Sequence, residues 1–306
     1  MSSLVIRQIS SSLFNSIRSR SNISLANMST KTKFETLSIT VPKPFVYNVE
    51  LNRPDKLNAF NGTMWHEIGQ CFKELHTDPD CRVVILSGSG KLFTAGLDFK
   101  AAIENSQEWG DVEDVGRKAK ILYKHITAYQ NSMSSLELCH KPVLAAVHSA
   151  CIGAGTSLIT AADMRYCTKD AWFQVKEIIL GMAADVGVLQ RLPKIIGSDS
   201  LARELCYTAR KMDAAEALSS GLVSKVYEDK ESMMKGVLEI AEDIAAKSPI
   251  AIQGTKRAMV YSRDHSVQEG LEQIALYNQL MLQSEDFTNG VVALATKQSD
   301  ITFAKL

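Results

Sequence analysis

Residues 142–155 read PVLAAVHSACIGAG, an apolar run of small and branched side chains that ends in a glycine turn. A short apolar run bounded by turn residues predicts a strand that is buried on both faces. The segment from Gly153 to about Ala162 then has the pattern of a helix that begins at glycine. A buried strand, a glycine turn and a helix in this order are typical of a sheet with parallel strands.

The same order occurs earlier in the chain. The sequence RVVILS at residues 82–87 is rich in β-branched side chains and predicts another buried strand. FTAGLD at residues 93–98 follows it and supplies a second glycine turn and a helix start. The chain therefore contains two strand-to-helix turns of the same kind.

The rest of the chain divides into two parts. Alternating residues 35–41 and 45–51, separated by two prolines, predict a hairpin, and the pattern beyond Leu201 is wholly helical. Helical spacing is found in these segments: 63–76, 111–138, 231–247, 250–261, 266–283 and 285–297. We expect a mixed α/β core over residues 35–200 and a helical region over residues 201–306.

The composition is that of an ordinary globular protein. The chain has 306 residues, of which 45% are hydrophobic and 22% are charged. No apolar run approaches the roughly 18 residues that span a bilayer, so we expect no membrane span. The six cysteines lack C-x-x-C spacing and mostly lie in apolar runs, which predicts buried thiols and neither disulfides nor zinc ligands.

The two ends of the chain carry targeting patterns. Residues 1–34 contain five Lys or Arg, no acid and many serines, which is typical of a mitochondrial transit peptide; the alternative is a disordered tail. The chain ends in Ala304-Lys305-Leu306, a near variant of the Ser-Lys-Leu peroxisomal address. We expect a mitochondrial location, a peroxisomal location or both, with the peroxisomal import receptor as a partner of the C-terminal tripeptide.

The charge balance indicates which partners to exclude. Lys and Arg number 34 and Asp and Glu number 34, so without residues 1–34 the acids outnumber the bases by five. A mildly acidic body does not favour binding to nucleic-acid phosphates, so we expect no nucleic-acid partner.

The two glycine turns are candidates for binding a carbonyl oxygen. A tight turn that leads into a helix leaves backbone N–H groups without partners, and such groups suit an anion or a polarised carbonyl. Two convergent turns would form an oxyanion hole that stabilises an enolate. Either turn alone is better explained as a simple connection between a strand and a helix.

Three segments together carry a family resemblance. They are LNRPDKLNA at residues 51–59, FTAGLD at 93–98 and KPVLAAV at 141–147. With the second glycine turn they resemble the enoyl-CoA hydratase/isomerase (crotonase) superfamily, and the resemblance covers roughly residues 35–306. It implies an α/β spiral of β-β-α units, a helical C-terminal trimerisation region, assembly as a homotrimer or homohexamer, and a fatty acyl-CoA thioester as substrate.

The resemblance also implies which residues form the site. The backbone N–H groups of Leu97 and Ala154 would hold the thioester oxygen, although the family often has glycine in place of Ala154. Lys100 and Lys56 would lie near the phosphates of coenzyme A. The acyl-CoA site would be lined by Ala95, Gly96, Leu97, Asp98 and Phe99.

The acids distinguish among members of this superfamily. Its hydratases carry two glutamates, and this chain has Ser157 at the position of the first and Glu177 at the second. Asp185, where hydratases normally have glycine, resembles the dienoyl-CoA isomerase branch, whereas that branch has aspartate in place of Ser157. Longer matches to the same branch are FQVKE at 173–177, LQRLPK at 189–194, TARKM at 208–212 and YSRDHSV at 261–267.

This branch converts a 3,5-dienoyl thioester into the conjugated 2,4-dienoyl thioester. The reaction removes a proton at C2 and adds one at C6, so a carboxyl group is needed at each end of the diene. We assign Glu177 to C2 and Asp185 to C6, with the opposite assignment left open. The apolar residues between them predict a dry pocket wall that raises the pKa of both carboxyls.

Other functions stay open at this stage. An enoyl-CoA hydratase or a Δ3-Δ2-enoyl-CoA isomerase would need only Glu177, and an RNA-binding member of the superfamily would need a basic face. No residues have the spacing of a metal site or of a dinucleotide-binding loop, so we expect no cofactor beyond the coenzyme A of the substrate.

Overall fold

The computed structural model describes residues 32–298 and 301–306, apart from the side chains at positions 105 and 108. Residues 33–306 form one compact unit. The predicted targeting segment, residues 1–34, lies outside the described residues as far as position 31.

Six strands form the main sheet of the described chain, in the order β1-β2-β3-β4-β6-β9. The antiparallel pair β1 and β2 is the predicted hairpin, and every other neighbouring pair runs parallel. The strands of this sheet are β1 (Leu37–Lys43), β2 (Val46–Leu51), β3 (Val83–Gly88), β4 (Val143–Val147), β6 (Met164–Thr168) and β9 (Lys225–Tyr227). The predicted mixed α/β fold with parallel pairing is therefore confirmed.

A smaller sheet carries the second glycine turn. In the described residues it has the order β5-β7-β8, with β5 parallel to β7 and β7 antiparallel to β8. Its strands are β5 (Ala150–Ile152), β7 (Trp172–Gln174) and β8 (Met212–Asp213). Because β5 follows β4 almost directly, the chain passes from one sheet to the other just before the turn.

Each predicted helical segment is present to within a few residues, and the structure adds further short helices. Those of the first part of the chain are α1 (Gly62–Thr77), α2 (Phe99–Asn105), α3 (Gln107–Gly110), α4 (Val115–Leu138), α5 (Ala154–Thr160) and α6 (Val188–Ile195). Those that follow are α7 (Asp199–Thr208), α8 (Ala214–Ser219), α9 (Lys230–Ala245), α10 (Pro249–Tyr261), α11 (Val267–Met281) and α12 (Glu285–Thr296). Two 3₁₀ turns lie at Pro54–Lys56 and Glu177–Leu180.

The prediction that the chain beyond Leu201 is wholly helical is wrong for two short segments. Strand β8 pairs with β7 in the smaller sheet, and β9 extends the main sheet beside β6. Both strands are only two or three residues long, so neither shows the alternation by which a strand is identified from sequence.

Strand β3 shows how the main sheet is buried on both faces. Val83 and Ile85 belong to the apolar cluster that includes α9, whereas Val84 and Leu86 belong to the cluster that includes α1. All six residues of the strand are buried. Since side chains alternate across a strand, helices on both faces account for the continuous apolar run seen in the sequence.

No helix within residues 32–298 and 301–306 has both the length and the apolar content needed to cross a membrane.

Candidate active site

The two glycine turns lie side by side. The N–H of Thr94 donates to the carbonyl of Ala150 at 3.0 Å, and the N–H of Ile152 donates to the carbonyl of Thr94 at 3.2 Å. Thr94 and Cys151 thereby form a parallel bridge that ties the first turn to β5. The predicted convergence of the two turns is present in the structure.

Glycine is required where the turns touch. Gly96 has a φ of +87°, and a Cβ at this position would lie 2.8 Å from the carbonyl oxygen of Ile152. A Cβ on Gly155 would lie 2.3 Å from Cγ2 of Thr94. Any side chain at either position would force the two turns apart, so these glycines set the width of the site.

The geometry leaves two backbone N–H groups free at this contact. Phe60 bonds to the residues on either side of Leu97, since its N–H donates to Gly96 at 2.7 Å and its carbonyl accepts from Asp98 at 3.1 Å. The N–H of Leu97 therefore points away from Phe60. Ala154 is the first residue of α5 and has no earlier helical carbonyl to reach. Neither N–H donates a hydrogen bond to another described residue.

The carboxyl group of Glu177 lies next to the second turn. A Cβ placed on Gly153 would be 3.6 Å from Oε1 of Glu177, and the other carboxyl oxygen, Oε2, is buried without a hydrogen-bond partner among the described residues. Burial raises the pKa of Glu177, backbone N–H groups partly offset this rise, and the charge of Asp185 raises the pKa further. At a given pH, the protonated fraction of Glu177 is therefore larger than that of an ordinary glutamate.

Asp185 is half-buried, and burial raises its pKa as well. Its backbone carbonyl accepts a hydrogen bond of 2.7 Å from the side-chain amide of Gln130 in α4. Asp185 also lines a cavity of about 480 Å³ between α4, α6 and the end of α10. The two predicted acids thus share a raised pKa but face different surroundings.

The apolar residues between the two acids do not form the dry wall that the sequence predicts. Four large side chains of this segment are exposed, namely Ile178 (47%), Ile179 (59%), Leu180 (47%) and Met182 (40%). The prediction fails because residues 178–183, which include most of the 3₁₀ turn at Glu177–Leu180, lie at the surface of the chain. The pKa of each carboxyl is raised by its own burial, not by burial of the residues between them.

Asp98, which belongs to the predicted acyl-CoA site, forms an ion pair and caps a helix. Its carboxylate pairs with the guanidinium of Arg53 at 3.1 Å and caps α2 by accepting from the N–H of Ala101 at 3.3 Å. Although burial raises its pKa, the hydrogen bonds from Ala101 and Arg53 lower the pKa overall. Asp98 therefore stays ionised and holds the first turn against the LNRPDKLNA segment.

The other predicted residues surround the turn. The N–H of Ala95 donates to the carbonyl of Leu57 at 2.9 Å, and Ala95 is partly exposed. Phe99 is 48% exposed, and Lys56 and Lys100 are exposed, so all three can reach a ligand outside the turns. Ser157 is fully buried, and its Oγ has no hydrogen-bond partner among the described residues.

Asn58 is a positioning residue that the sequence reasoning did not single out. It is fully buried with a φ of +53°, and its side-chain amide donates to the carbonyls of Ser89, Leu92 and Phe93 at 2.8–3.1 Å. Its own carbonyl accepts from the hydroxyl of Thr94 at 2.6 Å. The available signal was its place in LNRPDKLNA, because asparagine tolerates the left-handed conformation and bonds to backbone.

No group of three or more His, Cys, Asp or Glu in the described part of the chain is arranged to hold a metal ion.

A family model described as enoyl-CoA hydratase/isomerase matches residues 43–302. The chain belongs to the enoyl-CoA hydratase/isomerase family. Its fold is also that of solved members: an enoyl-CoA hydratase from Bacillus anthracis aligns with a TM-score of 0.78 at 28% identity, over 87% of this chain and 98% of that one.

Relatives within this family carry more specific names. The chain is 50% identical over 276 residues to the mitochondrial Delta(3,5)-Delta(2,4)-dienoyl-CoA isomerase of Homo sapiens, which covers 89% of this chain and 84% of that protein. It is 43% identical over 261 residues to the peroxisomal Delta(3,5)-Delta(2,4)-dienoyl-CoA isomerase of Arabidopsis thaliana, which covers 85% of this chain and 93% of that protein. The predicted resemblance to the dienoyl-CoA isomerase branch is confirmed.

Proposed function

We propose that this protein isomerises 3,5-dienoyl-CoA thioesters to 2,4-dienoyl-CoA thioesters in the oxidation of unsaturated fatty acids. The observation that carries the proposal is a pair of half-buried carboxyls with raised pKa, Glu177 and Asp185, of which Glu177 lies beside the turn that carries the free N–H of Ala154. The names of the relatives at 43–50% identity support the same reaction. A hydratase would not require an acid at the position of Asp185.

The two free N–H groups serve the thioester oxygen. Removal of a proton from C2 places negative charge on that oxygen, and the N–H groups of Leu97 and Ala154 donate to it. Because both are fixed by the contact between the turns, they need little reorganisation as the charge develops. A donor of this kind contributes about 2.7–4 kcal/mol to transition-state stabilisation.

The two carboxyls move the protons. Glu177 in its ionised form accepts the proton from C2, since it lies beside the turn that holds the thioester. Asp185 in its protonated form donates to C6 at the far end of the diene. The electron pair of the broken C2–H bond passes through the conjugated system to the new C6–H bond, so the double bonds shift without any gain or loss of atoms.

The direct test is an assay with 3,5-octadienoyl-CoA, followed by the ultraviolet absorbance of the conjugated product. We expect conversion that is abolished by neither dialysis nor chelators. Parallel assays with 2-octenoyl-CoA and 3-octenoyl-CoA measure hydration and Δ3-Δ2 isomerisation. Activity on one of these two substrates without conversion of the dienoyl thioester would contradict the proposal.

The coenzyme A portion requires a separate contact. Lys56 and Lys100 are exposed on the outer side of the first turn, where ammonium groups can approach the phosphates of the nucleotide. Replacement of each lysine by methionine should raise KM with little effect on kcat. An unchanged KM in both variants would contradict the proposal that these lysines contact coenzyme A.

We also propose a homotrimer or homohexamer. The helical C-terminal region exposes large apolar side chains that a single chain does not cover, including Leu271 (57%), Leu276 (66%), Leu280 (62%) and Leu294 (83%). An apolar surface of this kind is typical of subunit contacts. Light scattering of the purified protein gives the number of subunits, and a monomer would contradict the proposal.

The relatives support a location in mitochondria, peroxisomes or both, since they include a mitochondrial and a peroxisomal protein. In the structure, the guanidinium of Arg82 donates to the carbonyls of Phe303 and Ala304 at 2.7 and 3.1 Å, and Lys305 pairs with Asp80. Import through the C-terminal tripeptide requires the receptor to compete with these contacts. Deletion of residues 304–306 should abolish peroxisomal import and leave mitochondrial import intact.

A further inference from the structure

The proposed reaction leaves the two carboxyls in exchanged states after each turnover. One carboxyl has accepted the proton from C2 and the other has given its proton to C6. The next substrate cannot react until both have returned to their starting forms. This requirement rests on the proposed function, and it holds whichever of Glu177 and Asp185 acts at C2.

Glu177 and Asp185 differ in their access to water. Oε2 of Glu177 is buried and has no partner among the described residues, and Glu177 is not part of the cavity wall. Asp185 lines the cavity of about 480 Å³, which is much larger than the roughly 30 Å³ that one water occupies in the liquid. Of the two acids, Asp185 lines this compartment and Glu177 does not, and none of the turn residues 93–98 or 150–157 lines it.

The inner wall of this cavity is polar. Gln130, Ser134 and Glu137 line it from α4 at helical positions i, i+4 and i+7, so they form one face of that helix. Arg191 from α6 donates to Ser134 at 3.0 Å and to Glu137 at 2.8 Å. Side chains that both donate and accept hydrogen bonds favour ordered water over an empty cavity.

The outer end of the cavity reaches solvent. Arg191 and Glu137 keep only 14% and 17% of their side chains exposed, whereas the pair formed by Lys194 and Asp264 keeps 46% and 68% exposed. Both pairs line the same cavity. Exposure therefore increases from the Arg191–Glu137 pair to the Lys194–Asp264 pair, as a route to bulk water requires.

We propose that this cavity is a water-filled proton-exchange route that returns Asp185 to its starting protonation state between turnovers. Ser134, Gln130 and Gln190 order the waters, and the substrate never enters the route. Bulk water supplies or accepts one proton at Asp185. Glu177 exchanges its proton through the acyl pocket when the product leaves, so the net transfer to solvent is zero.

An isotope experiment on the unmodified protein tests the exchange. The substrate is 3,5-octadienoyl-CoA with both hydrogens at C2 replaced by deuterium, converted in ordinary water over many turnovers. We expect a product with one deuterium at C2 and none at C6, as mass spectrometry and NMR would show. Deuterium at C6 would mean that the proton passes directly between the carboxyls, and it would overturn the proposal.

A narrowed cavity tests the route itself. Ser134→Leu places an apolar side chain in the route, and Ser135→Leu is the matched control, because Ser135 is the next residue of α4 but lines a different surface groove. In rapid-mixing assays, we expect Ser134→Leu to complete the first turnover at the wild-type rate and then to slow by about tenfold in steady state. Ser135→Leu should show the same rate in the first turnover and in steady state.

Equal first-turnover and steady-state rates in Ser134→Leu would contradict the route. If this variant does not fold, Gln190→Leu narrows the same cavity from an exposed position on α6 and carries the same expectation. Failure of the wild-type protein to convert 3,5-octadienoyl-CoA at all would instead contradict the proposed function. The two failures are therefore distinct.

Discussion

The two walls of the candidate site are held in different ways. The turn wall, residues 93–98 and 150–157, is largely buried and is tied together by hydrogen bonds between Thr94 and β5. The acid wall, residues 177–185, is exposed from Ile178 to Ala183, and only its ends are partly buried. The groups proposed to bind the oxygen are thus fixed by the core, whereas the groups proposed to move protons sit on a surface segment.

This difference matches the demands on each wall. An oxyanion hole works through donors that are already in place, so it gains from a rigid support. A carboxyl that changes its protonation state in each cycle must exchange with solvent, so complete burial would be a disadvantage. The comparison predicts that substitutions in the turn wall affect folding and activity together, and that substitutions of the acids affect activity without loss of folding.

The largest effect should come from the acids. Glu177→Gln and Asp185→Asn should each lower kcat/KM for 3,5-octadienoyl-CoA by about 10²–10⁴-fold, because each removes one proton-transfer group. Circular dichroism should show an unchanged fold. Glu113→Gln, at an exposed acid outside the site, is the control. Near-normal activity in both Glu177→Gln and Asp185→Asn would contradict the two-carboxylate mechanism.

A methyl group in the turn wall should lower both the activity and the stability of the protein. Gly96→Ala must adopt a φ of +87° with its Cβ 2.8 Å from a carbonyl oxygen, so we expect activity to fall and the free energy of unfolding to fall by about 1–3 kcal/mol. Gly197→Ala is the matched control, since nothing lies within 4 Å of its Cβ. Denaturant titration of both variants measures the difference, and equal stability would mean that the contact between the turns is not tight.

A third acid should shift the pH profile. Ser157 is buried one helical turn after Gly153, so Ser157→Asp adds a carboxyl near Glu177 and should raise the pKa of Glu177 further. Because the base must be ionised, the acid limb of kcat/KM should move to higher pH. Ser157→Ala should leave this limb in place. An unchanged profile in Ser157→Asp would show that residue 157 does not influence the acids.

The smallest effect concerns stability. Burial holds the pKa of Glu177 above its unfolded value of about 4.3, so the ionised carboxylate destabilises the fold at neutral pH. Glu177→Gln lacks this cost and should raise Tm at pH 7. The gain in Tm should shrink as the pH falls through the raised folded pKa and then below the unfolded pKa, because below both values the carboxyl is protonated in both states. A gain in Tm that grows as the pH falls would contradict this prediction.

Much of this architecture could be predicted from the sequence. The strands β3 and β4 were identified because a strand covered by helices on both faces must be apolar throughout, and the two glycine turns were identified because each follows such a strand. The exposure of Ile179 could not be predicted in this way, because apolar sequence indicates burial only when the backbone turns it inward. Strands β8 and β9 are too short to show any pattern.

The cavity beside Asp185 was also beyond the reach of the sequence. It is formed by residues such as Gln130, Arg191 and Arg263 that are far apart in the chain, and the LQRLPK and YSRDHSV motifs that contain the two arginines do not show that these residues meet. The paired acids were identified through the family resemblance, which implies roles for the positions of Glu177 and Asp185. Sequence motifs can therefore suggest the reacting groups, whereas their access to water depends on tertiary packing.

The bridge between Thr94 and Cys151 has a consequence for how the protein acquires its activity. It joins segments that are far apart along the chain. The entropy cost of closing this long loop arises before the stabilising contacts between the segments form. The donor groups of Leu97 and Ala154 can face the same point only after this closure. During refolding, isomerase activity should thus return with the slowest phase, later than the local helices form.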